Sequence, residues 1–194
     1  TMNIIELVID ENEELFGIEA ISVVENPAIE EDFIALKNQD QIRLAEVSKE
    51  KRILMGAALI PDKPIYRKSD DNEFYIYFSK DTVAKASQMF LQAGNQGQAT
   101  MEHATEKLEG MTVVESWIIE DEVHDKSRKY GLDMPVGTWM ISIKCTNDEV
   151  WAKVKEQKIR GFSIEGYFAD RLSNRPLDKQ VDQLTEEDKL LNEI

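Results

Sequence analysis

Cross-linking residues and side chains that titrate near neutral pH are scarce in this chain. Its 194 residues include one cysteine, Cys145, and two histidines, His103 and His124. A single cysteine excludes an internal disulfide and the usual cysteine-based zinc sites. Cys145 ends the apolar stretch 139–145, which predicts a small buried side chain rather than a reactive thiol.

Positive charge is also scarce. The formal net charge is −15, and no lysine or arginine precedes Lys37. The acidic residues before Lys37 are Glu6, Asp10, Glu11, Glu13, Glu14, Glu19, Glu25, Glu30, Glu31 and Asp32. This charge argues against binding to nucleic acid or to an anionic membrane. The acidic segment is either a solvated surface or a docking site for a basic partner. We expect neither a signal peptide nor a transmembrane segment, because no leader pattern is recognisable at the start and no apolar run is long enough to span a bilayer.

The hydrophobic pattern predicts strands that do not alternate regularly with helices. Strands are expected over 3–9, 20–24, 52–60, 74–78, 111–120, 138–145 and 162–169. One helix is expected from a cap at Ser79 or Asp81 to Gly94, and a short one after Asn147, whereas 121–136 reads as a polar loop. This order predicts an α+β domain over 2–170 with a mainly antiparallel or barrel-like sheet. Residues 171–194 form a polar tail with a helix capped at Thr185.

The segment 161–166 contains a candidate nucleophile. In a strand, Ser163, Glu165 and Tyr167 share one face, while Phe162, Ile164 and Phe168 share the other. The glycines at both ends allow another backbone or a substrate to approach closely. A serine here becomes nucleophilic only when a base reaches it; otherwise Ser163 is an ordinary strand residue.

His103 is the candidate base, because histidine is the side chain that commonly exchanges a proton near neutral pH. It follows a Gly/Gln-rich turn, so a simple surface position is the alternative. His124 lies in a strongly polar loop and is expected to be solvated. A metal site formed by His103 with Glu102 or Glu106 lacks any recognised ligand motif such as HExxH.

A serine–histidine pair usually needs a third group that orients the imidazole. Glu115 is the first candidate, because it lies between Val113 and Trp117 on what looks like an apolar strand face. An inward carboxylate is costly unless it is paired. The alternative is a solvent-exposed charge on an edge strand. Glu102 and Glu165 rank lower, since each is close in sequence to a member of the pair.

Several blocks of the sequence are typical of a known family. They lie at 21–36, 59–66, 110–117, 130–140 and 161–166. In this order they resemble the XkdF-type phage serine proteases, a branch of the tailed-phage prohead maturation proteases. The resemblance spans about residues 3–170.

The resemblance implies a fold like that of herpesvirus assemblin, a small, mainly antiparallel β-barrel flanked by helices. It also implies that Ser163 attacks a peptide carbonyl while His103 first takes and then returns the proton. In assemblins the third member is a histidine after the serine, and no histidine follows Ser163. Either an acid such as Glu115 replaces it, or Ser163 and His103 act as a dyad.

The implied setting is the phage prohead in the bacterial host cytoplasm. There such an enzyme cleaves scaffold and extensions of the major capsid protein, and often itself, without a cofactor. A homo-oligomer is compatible with this setting, and the tail is either a cleaved or scaffold-binding extension or a plain solvated end. Two rivals are a non-catalytic capsid-assembly or scaffold-associated protein that keeps the fold, and a metal-dependent hydrolase using His103 with acids.

Overall fold

The computed structural model describes residues 3–12, 16–31, 33–35, 51–69, 72–167 and 169–170. In these residues the chain is α+β, as predicted, with strands in three sheets and three α-helices. The strands are β1 Asn3–Val8, β2 Gly17–Val24, β3 Ile34–Ala35, β4 Ile53–Leu59, β5 Ile65–Ser69, β6 Asn72–Phe78, β7 Ala99–Met101, β8 Met111–Ile118, β9 Trp139–Cys145, β10 Gly161–Tyr167 and β11 Ala169–Asp170. The helices are α1 Lys80–Gln92, α2 Lys126–Lys129 and α3 Asp148–Lys155, with a 3-10 turn at Asn95–Gly97.

The three sheets have the strand orders β11-β1-β6-β5, β10-β2-β7 and β3-β4-β9-β8. Their pairings are mainly antiparallel, as predicted; among the described strands only β1–β6 and β2–β7 are parallel. A barrel requires the first and last strands of a sheet to pair with each other. Each sheet instead keeps two edge strands, so no closed barrel forms in the described part of the chain.

The core is densest around the central strands β4 and β9. Leu54, Met55 and Leu59 of β4 are fully buried, as are Trp139 and Ile141 of β9. A central strand covered on both faces needs a continuous apolar run rather than an alternating one, which is why both segments were recognisable in the sequence. Cys145 ends β9 and is fully buried, as predicted.

Helix α1 begins and ends where the sequence predicts. The Ser79 hydroxyl accepts a hydrogen bond from the Thr82 backbone N–H at 3.2 Å, and Gly94 ends the helix in the left-handed conformation. Phe90 is fully buried and meets the ring of Trp139 edge-on, with centroids 5.5 Å apart. Asn147 likewise caps α3, through Val150.

The polar segment 121–136 and the predicted tail 171–194 are the two regions where the structure does not match or does not test the expectation. The segment 121–136 is not entirely loop, because Asp125 caps the short helix α2 by accepting hydrogen bonds from the Ser127 backbone and hydroxyl. The predicted tail 171–194 and its Thr185-capped helix lie outside the described residues. Within the described ranges, no helix is long and apolar enough to cross a membrane.

Candidate active site

Three hydroxyl side chains lie in a row across the sheet β10-β2-β7. Ser163 of β10 is paired with Ser22 of β2, and Ser22 is paired with Thr100 of β7. Paired residues on neighbouring strands project their side chains from the same face. All three are buried: Ser163 is 9% exposed, Ser22 0% and Thr100 7%. Ser163 therefore lies in a small polar row enclosed by the protein.

The two glycines of β10 are needed for close backbone packing. A Cβ atom on Gly161 would lie 2.6 Å from Pro27 Cβ, and one on Gly166 would lie 2.8 Å from Ile18 Cα. Real Cβ atoms do not tolerate such contacts, so only glycine fits at these positions. At Gly166 the close neighbour is the backbone of β2, and at Gly161 it is the ring of Pro27.

Glu165 lies on the same face as Ser163, two residues along β10. Its Oε1 accepts a hydrogen bond from the Thr100 hydroxyl at 2.6 Å and lies 3.0 Å from Nδ1 of His103. The side chains of His103 and Glu165 are 20% and 28% exposed. A carboxylate that accepts two hydrogen bonds in a partly buried place is well anchored.

His103 reaches Glu165 from a strained turn after β7. Glu102 and His103 have φ values of 49° and 53°, and the Ala104 N–H donates to the Met101 carbonyl at 2.9 Å. Two consecutive left-handed residues in such a turn usually include Asn or Gly, because other side chains pay a steric cost there. Strain of this kind persists only where surrounding contacts enforce it.

Hydrogen bonds with neighbouring residues hold Glu102 and His103 in this turn. The His103 N–H donates to the Ser22 hydroxyl at 3.0 Å. The Glu102 N–H donates to the Val23 carbonyl at 3.1 Å, and Glu102 Oε1 accepts from the Glu25 N–H at 2.7 Å. The end of strand β2 and the residue after it therefore hold both left-handed residues of the turn, Glu102 and His103.

His103 thus contacts both neighbours of Ser163: Ser22 across the sheet and Glu165 along the strand. Its Nδ1 is used by Glu165, which leaves Nε2 as the ring nitrogen that can exchange a proton. In the described residues the Ser163 hydroxyl makes no hydrogen bond to another group. The arrangement offers a hydroxyl, an imidazole and a carboxylate on one face of one sheet.

Glu115 lies elsewhere, and the structure does not bring it to His103. It belongs to β8 in another sheet, where its Oε2 is bonded to Lys126 Nζ and accepts a hydrogen bond from Ser142 at 3.2 Å. A register shift explains its position. Val113 is paired with Ile143 and Glu115 with Ser142, so a β-bulge turns Glu115 onto the opposite face from Val113.

Other candidate groups have separate roles. The His124 side chain is 81% exposed, as predicted, and bonds through Nδ1 to Asp121 at 2.8 Å. That hydrogen bond, with the N–H groups of His124 and Val123, lowers the pKa of Asp121 to about 2. The described residues contain no group of three or more His, Cys, Asp or Glu side chains that could hold a metal ion.

Glu165 is a less obvious candidate than Glu115 in the sequence, and Ser22 and Thr100 carry no signal there at all. Glu165 is close to Ser163 in the sequence, yet a spacing of two in a strand is what puts two side chains on one face. That signal was available. Ser22 and Thr100 carried none, because their places depend on pairing between strands far apart in the chain.

Comparison with known proteins gives one match. Residues 41–172, more than half of the chain, match the model of a family described as "Putative phage serine protease XkdF". No curated protein and no solved structure matches the chain. The matched segment includes His103, Ser163 and Glu165 but not Ser22, whose strand β2 precedes it.

Proposed function

The chain belongs to the XkdF family of phage serine proteases, and from that premise we propose that it is a serine endopeptidase. Ser163 is the nucleophile, His103 is the general base and Glu165 orients the imidazole. The observation that carries the proposal is the double contact of His103, with Glu165 and with the direct cross-strand partner of Ser163.

The spacing along β10 fits this assignment. Residues two apart in a strand are separated by about 6.6 Å. A carboxylate and a hydroxyl at that separation leave room for an imidazole between them, hydrogen-bonded to each. With the Nδ1 proton donated to Glu165, Nε2 carries the lone pair that takes a proton from serine, and the carboxylate stabilises the imidazolium that results.

The reaction follows from these roles. Ser163 Oγ attacks the peptide carbonyl as its proton passes to Nε2 of His103, giving a tetrahedral intermediate. The C–N bond then breaks, and His103 returns the proton to the leaving amine. Water attacks the acyl-enzyme in the same way, with His103 as base, and releases the carboxylic acid and free Ser163.

The proposed substrates are the phage scaffold and the extensions of the major capsid protein, and also the enzyme itself. The support is that the family consists of phage proteins and that the net charge of −15 suits an enzyme enclosed where DNA must later enter. A protein of this charge is repelled by DNA and is therefore free to act on protein.

The test is to co-express the chain with the scaffold and capsid proteins of its phage and to follow their processing by mass spectrometry. We expect Ser163→Ala to abolish cleavage with an unchanged thermal unfolding curve. Ser142→Ala is the matched control, because Ser142 is also buried but lies on β9 of another sheet, and it should cleave like the parent. A fluorophosphonate probe should modify Ser163 alone.

Three results would contradict the proposal. Processing that survives Ser163→Ala would remove the nucleophile. Loss of processing on addition of a chelator would favour a metal-dependent hydrolase using His103. A parent protein that cleaves nothing and does not react with the probe, yet co-purifies with scaffold, would identify the non-catalytic assembly protein.

A further inference from the structure

A cavity of about 600 Å³ opens beside the hydroxyl row. Thr100 of the row and Glu165, which accepts its hydrogen bond, both line the cavity. Ala20, which also lines the cavity, is the cross-strand partner of Glu165. The cavity therefore begins one residue pair along the sheet from Ser163, and its size falls in the range of ligand-binding pockets.

The residues that line the cavity are in equal part apolar (or glycine) and polar, and the uncharged polar ones include Asn95, Gln98 and Thr105. Ala20 and Ala99 lie in the sheet, Met89 and Ala93 belong to the end of α1, and Phe16 lies at the start of β2. Ala20 and Ala93 leave space at the cavity, since larger side chains at these positions would reach into it, whereas Ala99 is paired with Ile21 and projects from the opposite face of the sheet. Phe16 is 37% exposed, and an exposed aromatic ring beside a cavity gains apolar contact when the cavity is filled.

The charged residues that line the cavity favour neither a positively nor a negatively charged ligand. Glu19 and Lys107 have opposite signs and are both exposed, and Lys107 lies 4.0 Å from Glu109. Glu165 already accepts hydrogen bonds from Thr100 and His103. A charged ligand group would lose its hydration here without gaining a buried partner of opposite sign.

We infer that this cavity is the specificity pocket of the protease and that it binds a large apolar side chain, such as Leu, Met or Phe, of the substrate peptide. The inference rests on the proposed function. An extended peptide advances about 3.3 Å per residue, so with its carbonyl at Ser163 it reaches the cavity within two residues of the bond that is cut.

In the experiment, the purified protein is incubated with a peptide library made from a bacterial proteome, and the cleaved bonds are identified by mass spectrometry. We expect one position within two residues of the cut to be enriched in large apolar residues over Lys, Glu and Gly. Phe16→Ala removes an apolar wall, and Ala93→Trp fills the space from the helix end. Each should lower kcat/KM for the preferred peptides roughly ten-fold or more. Gln92→Trp is the matched control, since Gln92 is exposed on α1 but does not line the cavity.

A second arm does not depend on cleavage. In the Ser163→Ala variant, the methyl NMR signal of Met89 should shift when N-acetyl-leucine amide is added and should not shift with N-acetyl-lysine amide. The assignment of the cavity is contradicted if cleavage shows no apolar preference. It is also contradicted if Phe16→Ala and Ala93→Trp leave that preference unchanged. In both cases the proposed protease activity is retained. An uncleaved library contradicts the protease, and a silent Met89 signal contradicts the pocket in either case.

Discussion

Replacing Glu165 with glutamine isolates the contribution of one negative charge to the proposed site. The amide oxygen can still accept from Thr100 and from His103 Nδ1, because both groups bond to the same oxygen, Oε1, in the parent. The position of the imidazole and its tautomer are therefore retained. What is lost is the attraction between the carboxylate and the imidazolium that forms when Ser163 gives up its proton.

The size of this loss follows from the geometry. Unit charges about 4 Å apart attract by about 4 kcal/mol at the effective dielectric constant of a protein surface. The side chains of His103 and Glu165 are partly exposed, 20% and 28%, so water weakens their attraction. We therefore expect the variant to lose about 2 to 4 kcal/mol of transition-state stabilisation. At 1.36 kcal/mol per factor of ten, kcat/KM should fall by about 30- to 1000-fold.

The assay measures kcat/KM for a cleaved peptide from pH 5 to 9 in three proteins: the parent, Glu165→Gln and Glu115→Gln. Glu115→Gln should stay within about twofold of the parent, as for a surface change. Equal losses in both variants, or a loss in Glu115→Gln alone, would refute the assignment of Glu165.

Two further predictions concern the scaffold of the site. Gly161→Ala should lower the free energy of unfolding by about 1–3 kcal/mol in chemical denaturation, because the new Cβ meets Pro27. Gly97→Ala, which has open space around it, should change it by less than about 0.5 kcal/mol; equal effects would contradict the packing argument. Cys145 should resist iodoacetamide in the native protein and react in denaturant, because burial raises the pKa of its thiol. The thiol of Cys145 loses its proton at lower pH in the unfolded chain than in the folded protein. The free energy of unfolding should therefore fall as the pH rises above about 8.5, and Cys145→Ala should lessen that fall. Rapid labelling of the native protein by iodoacetamide would contradict the burial.

Regular elements with strong local signals could be predicted from the sequence. The cap at Ser79 and the stop at Gly94 fix the ends of α1 by hydrogen bonds and backbone preferences within a few residues. The apolar runs of β4 and β9 were recognisable because a strand covered on both faces has no alternation to misread. The short helix α2 was missed because its only signal is one capping aspartate, Asp125, in a polar segment.

The third member of the site shows where local reasoning fails. Glu115 looked inward because alternation was assumed to run unbroken from Val113, and one bulge reversed its face. Glu165 looked too close to Ser163, although a separation of two along a strand is a shared face. The face of Glu115 could not be decided without the pairing of β8 with β9, whereas the face of Glu165 follows from its spacing to Ser163 along β10.

The sequence by itself determined the α+β class, the main strands and helices, the buried state of Cys145 and the choice of Ser163 and His103 as candidates. Those features depend on residue type and on spacings of a few residues. Only the tertiary structure decided that three open sheets form, that His103 contacts Glu165 and Ser22, and that a cavity adjoins them. These contacts join residues 62 and 81 positions apart, and such distances are bridged by strand pairing and burial, which no local pattern records.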